Sequence, residues 1–327
     1  MSDVSAPSVS VALCTRNGAA YLREQLASVF AQTVPVAELV LSDDDSGDES
    51  VAIVRDAAAA ASVTLTVLEN RPPLGVTKNF EQAVRQARGE FVALADQDDV
   101  WHPDKLARAL AVFDDPAALL VHTDARLVGP DGATLGATLF DHLEVSGQEL
   151  LLEESGRGFD AVLRRNLATG ATVVFRRSLL ERALPFPTSW VHDEWLAAVA
   201  AAYGGLRVLR EPTVDYRQHG ANEIGVAAPS LRNKVARVAR EPRGDRNRVL
   251  GEKFTELAAR LAALDGLPAD VTAAANDKAE FERRRAGMSR IRALRLASVA
   301  RLAASGAYPR FASQGLLDIA RDLLQPA

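Results

Sequence analysis

Over its first hundred residues the chain alternates short apolar runs with longer stretches whose apolar residues recur at helical spacing. VSVALCT (9–15), ELVLSDDDS (38–46), VTLTVLEN (63–70) and EFVALAD (90–96) read as strands. Between them, GAAYLREQLASVFAQ (18–32), ESVAIVRDAAAAA (49–61) and VTKNFEQAVRQA (76–87) read as helices. In the first of these, Tyr21, Leu22, Leu26, Val29 and Phe30 fall at helical spacing. The order predicts an α/β domain built on a mostly parallel sheet with helices on both faces. Such sheets bind ligands at the carboxyl ends of their strands.

Those ends are polar in this chain. They carry Thr15, Arg16 and Asn17; then Asp43, Asp44 and Asp45; then Glu69, Asn70 and Arg71; then Asp96, Gln97, Asp98 and Asp99. One acidic strand end is explained by a helix cap or a solvated turn. Four on one rim predict a binding site. The last group is the most demanding, because carboxylates gathered at the end of a buried strand cost free energy unless something positive sits among them. Asp96 and Asp98 form a D-x-D pair. Hard oxygen ligands suit Mg2+ or Mn2+, which bridge diphosphate oxygens. Asp99 is a candidate cap for the helix HPDKLARAL (102–110). No GxxxxGK[ST] and no GxGxxG follows the first strand, which argues against a P-loop NTPase and a Rossmann dehydrogenase.

Beyond residue 100 the pattern is mixed. LLVHTDARLVG (119–129) and GATVVFRRSLL (170–180) read as strands, and 130–160 as loop-rich. HDEWLAAVAAAYG (192–204) reads as a helix and 206–222 as strand, turn, strand. From about 228 the chain reads as helical, with breaks at 241–245, 265–270 and 306–310. The net charge of −5 hides an asymmetry. Residues 1–227 carry 19 Lys/Arg against 32 Asp/Glu, and residues 228–327 carry 19 against 11. Two regions are expected: 1–227, with halves at about 1–100 and 101–227, and a basic helical region, 228–327.

Residues 283–310 hold eight arginines and no acid. Such a stretch suits an anionic membrane surface, the acidic first region or a partner subunit, or it is simply a solvated basic face. No nucleic-acid motif accompanies it. No uncharged apolar run is long enough to span a bilayer, and the N-terminus lacks the pattern of a signal peptide. Cys14, the only cysteine, excludes an intrachain disulfide and fits a reducing compartment. A cytoplasmic protein is the expectation, with peripheral contact to the inner face of the membrane.

The pieces VALCTRNGAAYLREQLASVFAQT (11–33), LVLSDDDSGDES (39–50), FVALADQDDVWHPDKL (91–106), TGATVVFRR (169–177), HDEWLAAVA (192–200) and YRQHGAN (216–222) stand in a family order. Together they resemble a family 2 glycosyltransferase of the GT-A fold. HDEW and YRQHGAN look most like the bacterial subgroup that adds rhamnose or related sugars to surface polysaccharides. The resemblance implies a Rossmann-like sheet and inverting transfer from a nucleoside-diphosphate sugar, dTDP- or UDP-linked, to a glycan or lipid-linked acceptor. Galactose, glucose and N-acetylglucosamine are alternative donor sugars.

It also implies roles. Thr15, Arg16, Asn17 and Gln97 line the nucleotide-sugar pocket, and Asp44 accepts the base N–H. Asp96 meets the ribose or a metal-bound water. Asp98 binds Mn2+ or Mg2+, with His219 approaching the metal or diphosphate. Asp193 takes the proton of the acceptor hydroxyl, with Glu194 as the competing carboxylate. Trp195 either stacks on an acceptor sugar or belongs to the core. The family usually has glycine where this chain has Asp45. A homo-oligomer is compatible with all of this. The rival reading is a non-catalytic scaffold of the same fold, working through its basic helices.

Overall fold

The computed structural model of the chain describes residues 7–219 and 246–325. Contacts divide the described residues into two compact units, one of residues 7–158 and 167–219, the other of residues 159–166 and 246–325.

In the first unit β1 (Val9–Thr15), β2 (Glu38–Asp43), β3 (Thr64–Glu69) and β4 (Phe91–Ala95) are joined by α1 (Ala19–Phe30), α2 (Ser50–Ala61) and α3 (Val76–Gln86). They pair in parallel in the order β3-β2-β1-β4. Every residue of β1, β2 and β4 is buried, whereas β3 is partly open along its length. That difference follows from position. A central parallel strand is covered on both faces and reads as a continuous apolar run, whereas β3 is the edge.

Beyond β4 the sheet becomes mixed. The later strands are β5 (Val100–Trp101), β6 (Leu120–Val128), β7 (Thr134–Thr138), β8 (Val174–Arg176) and β9 (Leu206–Arg217). The order continues β4-β8-β6-β9-β5, with β7 beside β6. β8 is antiparallel to both β4 and β6, and β9 runs parallel to β6. The helices here are α4 (Lys105–Val112), α5 (Leu139–His142), α6 (Gly147–Glu154), α8 (Leu180–Ala183) and α9 (His192–Ala202), while α7 (Gly158–Val162) leads into the short segment that belongs to the second unit.

Several expectations need correcting. Residues 170–180 are not one strand: a 3₁₀ turn at Gly170–Thr172 precedes the three-residue β8, and Arg177–Leu179 is again 3₁₀. Residues 206–217 are one strand rather than two. Pro212 lies where the β6–β9 register shifts, and an irregularity in the ladder tolerates a residue without an N–H. Residues 130–160 hold β7, α5 and α6, the two helices opening on capping boxes at Thr138 and Ser146. Asp99 does not cap α4; the residue at that position is Asp104. Residues 220–222 and the expected break at 241–245 lie outside the described residues.

In the second unit the helices Arg246–Ala262, Ala269–Ala286, Arg292–Ala304, Ala307–Phe311 and Leu316–Leu324 follow one another. The expected break at 306–310 is confined to a turn at Gly306, and residues 307–311 are helical. Not all the arginines of 283–310 face water. Arg285 and Arg295 are buried, the first on Asp322 and Glu282, the second on main-chain carbonyls. Arg290, Arg292 and Arg301 are exposed. Among the described residues no helix is long and apolar enough to cross a membrane.

Candidate active site

The loops after β1 and β2 interlock. Thr15 Oγ1 donates to Asp43 (2.6 Å), and the Asp44 amide donates to the Thr15 carbonyl. Asn17, in the left-handed region at φ 53°, accepts from the Gly47 amide and donates its own amide to Ser46. The free amides that open α1 are satisfied from the neighbouring loop, Gly18 by Ser50 and Ala19 by Asp48. Gln97 ties β4 to this corner. Its Oε1 accepts from the Arg16 amide (2.8 Å) and its Nε2 donates to the Arg16 carbonyl (3.2 Å). A Cβ on Gly18 would stand 2.3 Å from that Oε1, so any larger residue there would push the Gln97 amide out of this place.

Asp44 is buried and accepts from the Leu74 amide (2.7 Å), the Gly75 amide (2.9 Å) and Asn70 Nδ2 (3.3 Å). It shapes the loop after β3. Asp45 sits at φ 66°, a conformation that glycine adopts freely and aspartate tolerates better than most residues. The loop shape expected for glycine is therefore kept.

The acids after β4 meet groups from three other elements. Asp98 Oδ2 lies 2.9 Å from His219 Nε2, and the His219 ring stacks on Tyr21. Asp99 is 1% exposed and accepts the Arg217 amide (3.0 Å). The Arg217 side chain donates to the Asp98 carbonyl, the Pro130 carbonyl and Glu24. The Ala171 amide lies beside Asp96 and favours its charged form. Asp193, at the start of α9, accepts the Gly170 amide (2.8 Å). Two successive amides of one turn thus act on Asp96 and Asp193.

Burial first, then the charges of Asp98 and Asp193, push the Asp96 carboxyl up to about 7. Burial, with Asp98 and Asp96, lifts Asp99 well above the carboxylate range. Burial and the same acids, Asp96, Asp99, Asp98 and Asp193, raise the Tyr216 hydroxyl far above its usual value. The four carboxylates therefore share one field.

A cation is already built in among them. Lys105 of α4 is 0% exposed, its Nζ 3.8 Å from the Trp101 ring centroid and donating to the Ala171 carbonyl. Burial drives it down to about 7 against the opposing pull of Asp99 and Asp96. Sequence reasoning missed Lys105, the Gly170–Ala171 turn, Tyr216 and Arg217. The signal for Lys105 was its spacing: with Leu106 and Ala109 it forms the buried stripe of α4.

The structure thus gathers Asp96, Asp98, Asp193 and His219, and sets Thr15, Arg16, Asn17, Gln97 and Asp44 around the adjoining loops. Glu194 is half-buried beside Asp193. Trp195 does not face this rim. It is 0% exposed, donates its indole N–H to the Ala183 carbonyl and packs edge-on against Trp190. It is core, because the residue after the acidic pair turns toward α8 while the pair turns toward the strand ends. Asp98 and His219 offer one oxygen and one nitrogen. This donor set fits a hard divalent cation that completes its shell with water and phosphate oxygens. Among the described residues no group of three such ligands is preassembled.

The chain is similar to several known proteins. A glycosyltransferase of Nostoc sp., itself uncharacterized, is 28% identical over 240 residues, 70% of each chain. The dTDP-rhamnosyl transferase RfbG of Shigella flexneri is 24% identical over 256 residues, 76% of this chain and 84% of that one. The fold is similar to that of a mannosyltransferase of Pyrobaculum calidifontis, solved in complex with GDP-Man and Mn2+. That match has a TM-score of 0.53 and 22% identity, covering 98% of this chain and 86% of the other. The family model for glycosyl transferase family 2 matches residues 10–182. That span is more than half of the chain, which belongs to glycosyl transferase family 2.

Proposed function

We propose that the chain moves a sugar from a nucleoside diphosphate to a glycan hydroxyl with inversion at the anomeric carbon. The observation that carries this reading is the meeting of Asp96, Asp98 and Asp193 at one rim, the last held by the Gly170 amide and the first beside the Ala171 amide. In the proposed step Asp193 takes the acceptor hydroxyl proton as that oxygen bonds to the anomeric carbon. The bond from the anomeric carbon to the diphosphate breaks, and its electron pair leaves with the nucleoside diphosphate. Glu194 is the rival base. Asp98 and His219 would hold Mn2+ or Mg2+, which when bound supplies positive charge against that gathering on the leaving diphosphate. Thr15, Arg16, Asn17, Asp96 and Gln97 border the nucleotide sugar. Asp44 keeps lone-pair capacity for a base N–H beside its three present donors.

The likeness to a dTDP-rhamnosyl transferase supports a dTDP-linked 6-deoxyhexose as the first donor to try, ahead of UDP-linked hexoses. A surface polysaccharide or lipid-linked glycan is the proposed acceptor. The helix Arg292–Ala304 supports a place for the chain at the inner membrane face. It turns Arg295, Val299 and Leu302 inward and leaves Leu294 and Leu296 each 63% exposed beside Arg292 and Arg301. Apolar side chains between exposed arginines suit an anionic bilayer.

A thermal-shift panel of UDP, dTDP, GDP and their sugars, each with Mn2+, Mg2+ or EDTA, tests the reading. A ligand at a hundred times its dissociation constant adds about 2.7 kcal/mol of stability. The expected result is a metal-dependent shift with one base. Asp98→Asn should lose it. Asp193→Asn should keep it and release no nucleoside diphosphate in the presence of acceptor. A chain that neither shifts with any nucleotide nor consumes any donor is a binding protein of this fold instead.

A further inference from the structure

A lysine sealed among acids usually pairs with one of them. Lys278 in the second unit does so, donating to Glu282 at 2.6 Å and to the Phe311 carbonyl. Lys105 is as deeply buried, yet it makes no direct ion pair among the described residues. Its one hydrogen bond goes to the Ala171 carbonyl, and its charge rests on the Trp101 ring. Burying a cation on so few partners costs more than burying an apolar side chain of the same length.

The Gly170–Ala171 turn supplies the reason. The Gly170 amide holds Asp193, the Gly170 carbonyl accepts from Val173, and the Ala171 carbonyl accepts from Lys105, while the Ala171 amide lies beside Asp96. The turn also sits hard against α9, where a Cβ on Gly170 would stand 3.0 Å from His192 Nε2. The Lys105 bond ties the turn to α4. We propose that Lys105 is a positioning residue: by holding the Ala171 carbonyl it fixes the turn whose two amides aim Asp193 relative to Asp96. The proposal rests on the reading of Asp193 as the base.

Hydrogen exchange on the full chain tests the clamp without any substrate. In Lys105→Met, and in Lys105→Gln, which loses the charge, the Gly170 and Ala171 amides should exchange about tenfold faster while β1, β2 and β4 keep their protection. Unchanged protection at those two amides overturns the clamp, whether or not the chain transfers any sugar. If Lys105→Met does not fold, Gly170→Ala, which shifts the turn against His192 and leaves every charge in place, should show the same local loss. The functional arm uses whichever nucleotide sugar the wild type consumes. Lys105→Gln should lower kcat about thirtyfold and leave donor KM within about threefold. Combined with Asp193→Asn it should cost nothing further, because the two act as one unit. A loss confined to KM, or losses that multiply in the double variant, overturns the positioning role.

Discussion

A histidine sealed in an apolar site resists protonation. His192 is 4% exposed, stacked on Phe80 with ring centroids 3.8 Å apart, and neither ring nitrogen has a partner among the described residues. Burial drives its pKa from 6.5 down to about 3. Below pH 6.5 the unfolded chain takes up a proton that the folded site refuses until about 3. The neutral ring therefore carries no pH penalty above that window, and stability falls as the pH drops through it, by several kcal/mol at full extent. We expect wild type to lose more stability between pH 7.5 and 4.5 than His192→Leu, measured by chemical denaturation. Equal losses would show that another group dominates acid sensitivity. At this same scale Lys105 answers the electrostatic question that three clustered carboxylates pose: part of the compensating charge is in the chain itself.

Elements place these residues through their ends. α1 starts without a side-chain cap of its own and borrows Ser50 and Asp48 from the next loop, so the corner carrying Arg16 and Asn17 is held from outside. α9 is buried over most of its length, with only Glu194 partly open. A helix apolar all round lies inside the core, and that fixes the direction in which Asp193 faces. The helix Arg292–Ala304 is the opposite case, with much of its apolar surface open. It should carry the chain onto vesicles containing phosphatidylglycerol and not onto neutral phosphatidylcholine. Leu294→Ser with Leu296→Ser should weaken that partition about tenfold. A chain that floats with neither kind of vesicle would remove the membrane proposal.

On the scale of the whole molecule the two units are stabilised differently. The first is organised around a continuous apolar core from Val9 to Tyr216. The second buries a polar network in which Asp322 accepts from Arg285, Asn247 and Tyr308. Arg285 also meets Glu282, and Lys278 is held by the same Glu282. Breaking such a network leaves an uncompensated charge inside. Asp322→Ala should cost on the order of 3–5 kcal/mol, read as a lowered melting temperature in calorimetry of the full chain. A loss below about 1 kcal/mol, as for an exposed pair, would mean that water reaches the network.

The sequence by itself determined the parallel half of the sheet, the polar rim and the acids upon it. Apolar runs and helical spacing are local patterns, and in a parallel sheet every strand must end on the same side. It also carried the family motifs around Asp98 and Asp193. Only the tertiary structure decided that Gly170 and Ala171 form a turn between two acids, and that Pro212 lies within a strand. It alone sent Trp195 into the core and placed Lys105 beneath the carboxylates. The turn, the strand and the lysine depend on partners 23 to 88 residues away in the chain, and Trp195 on Ala183, 12 residues back. Such contacts have no local period, so no window of the sequence contains both halves of them.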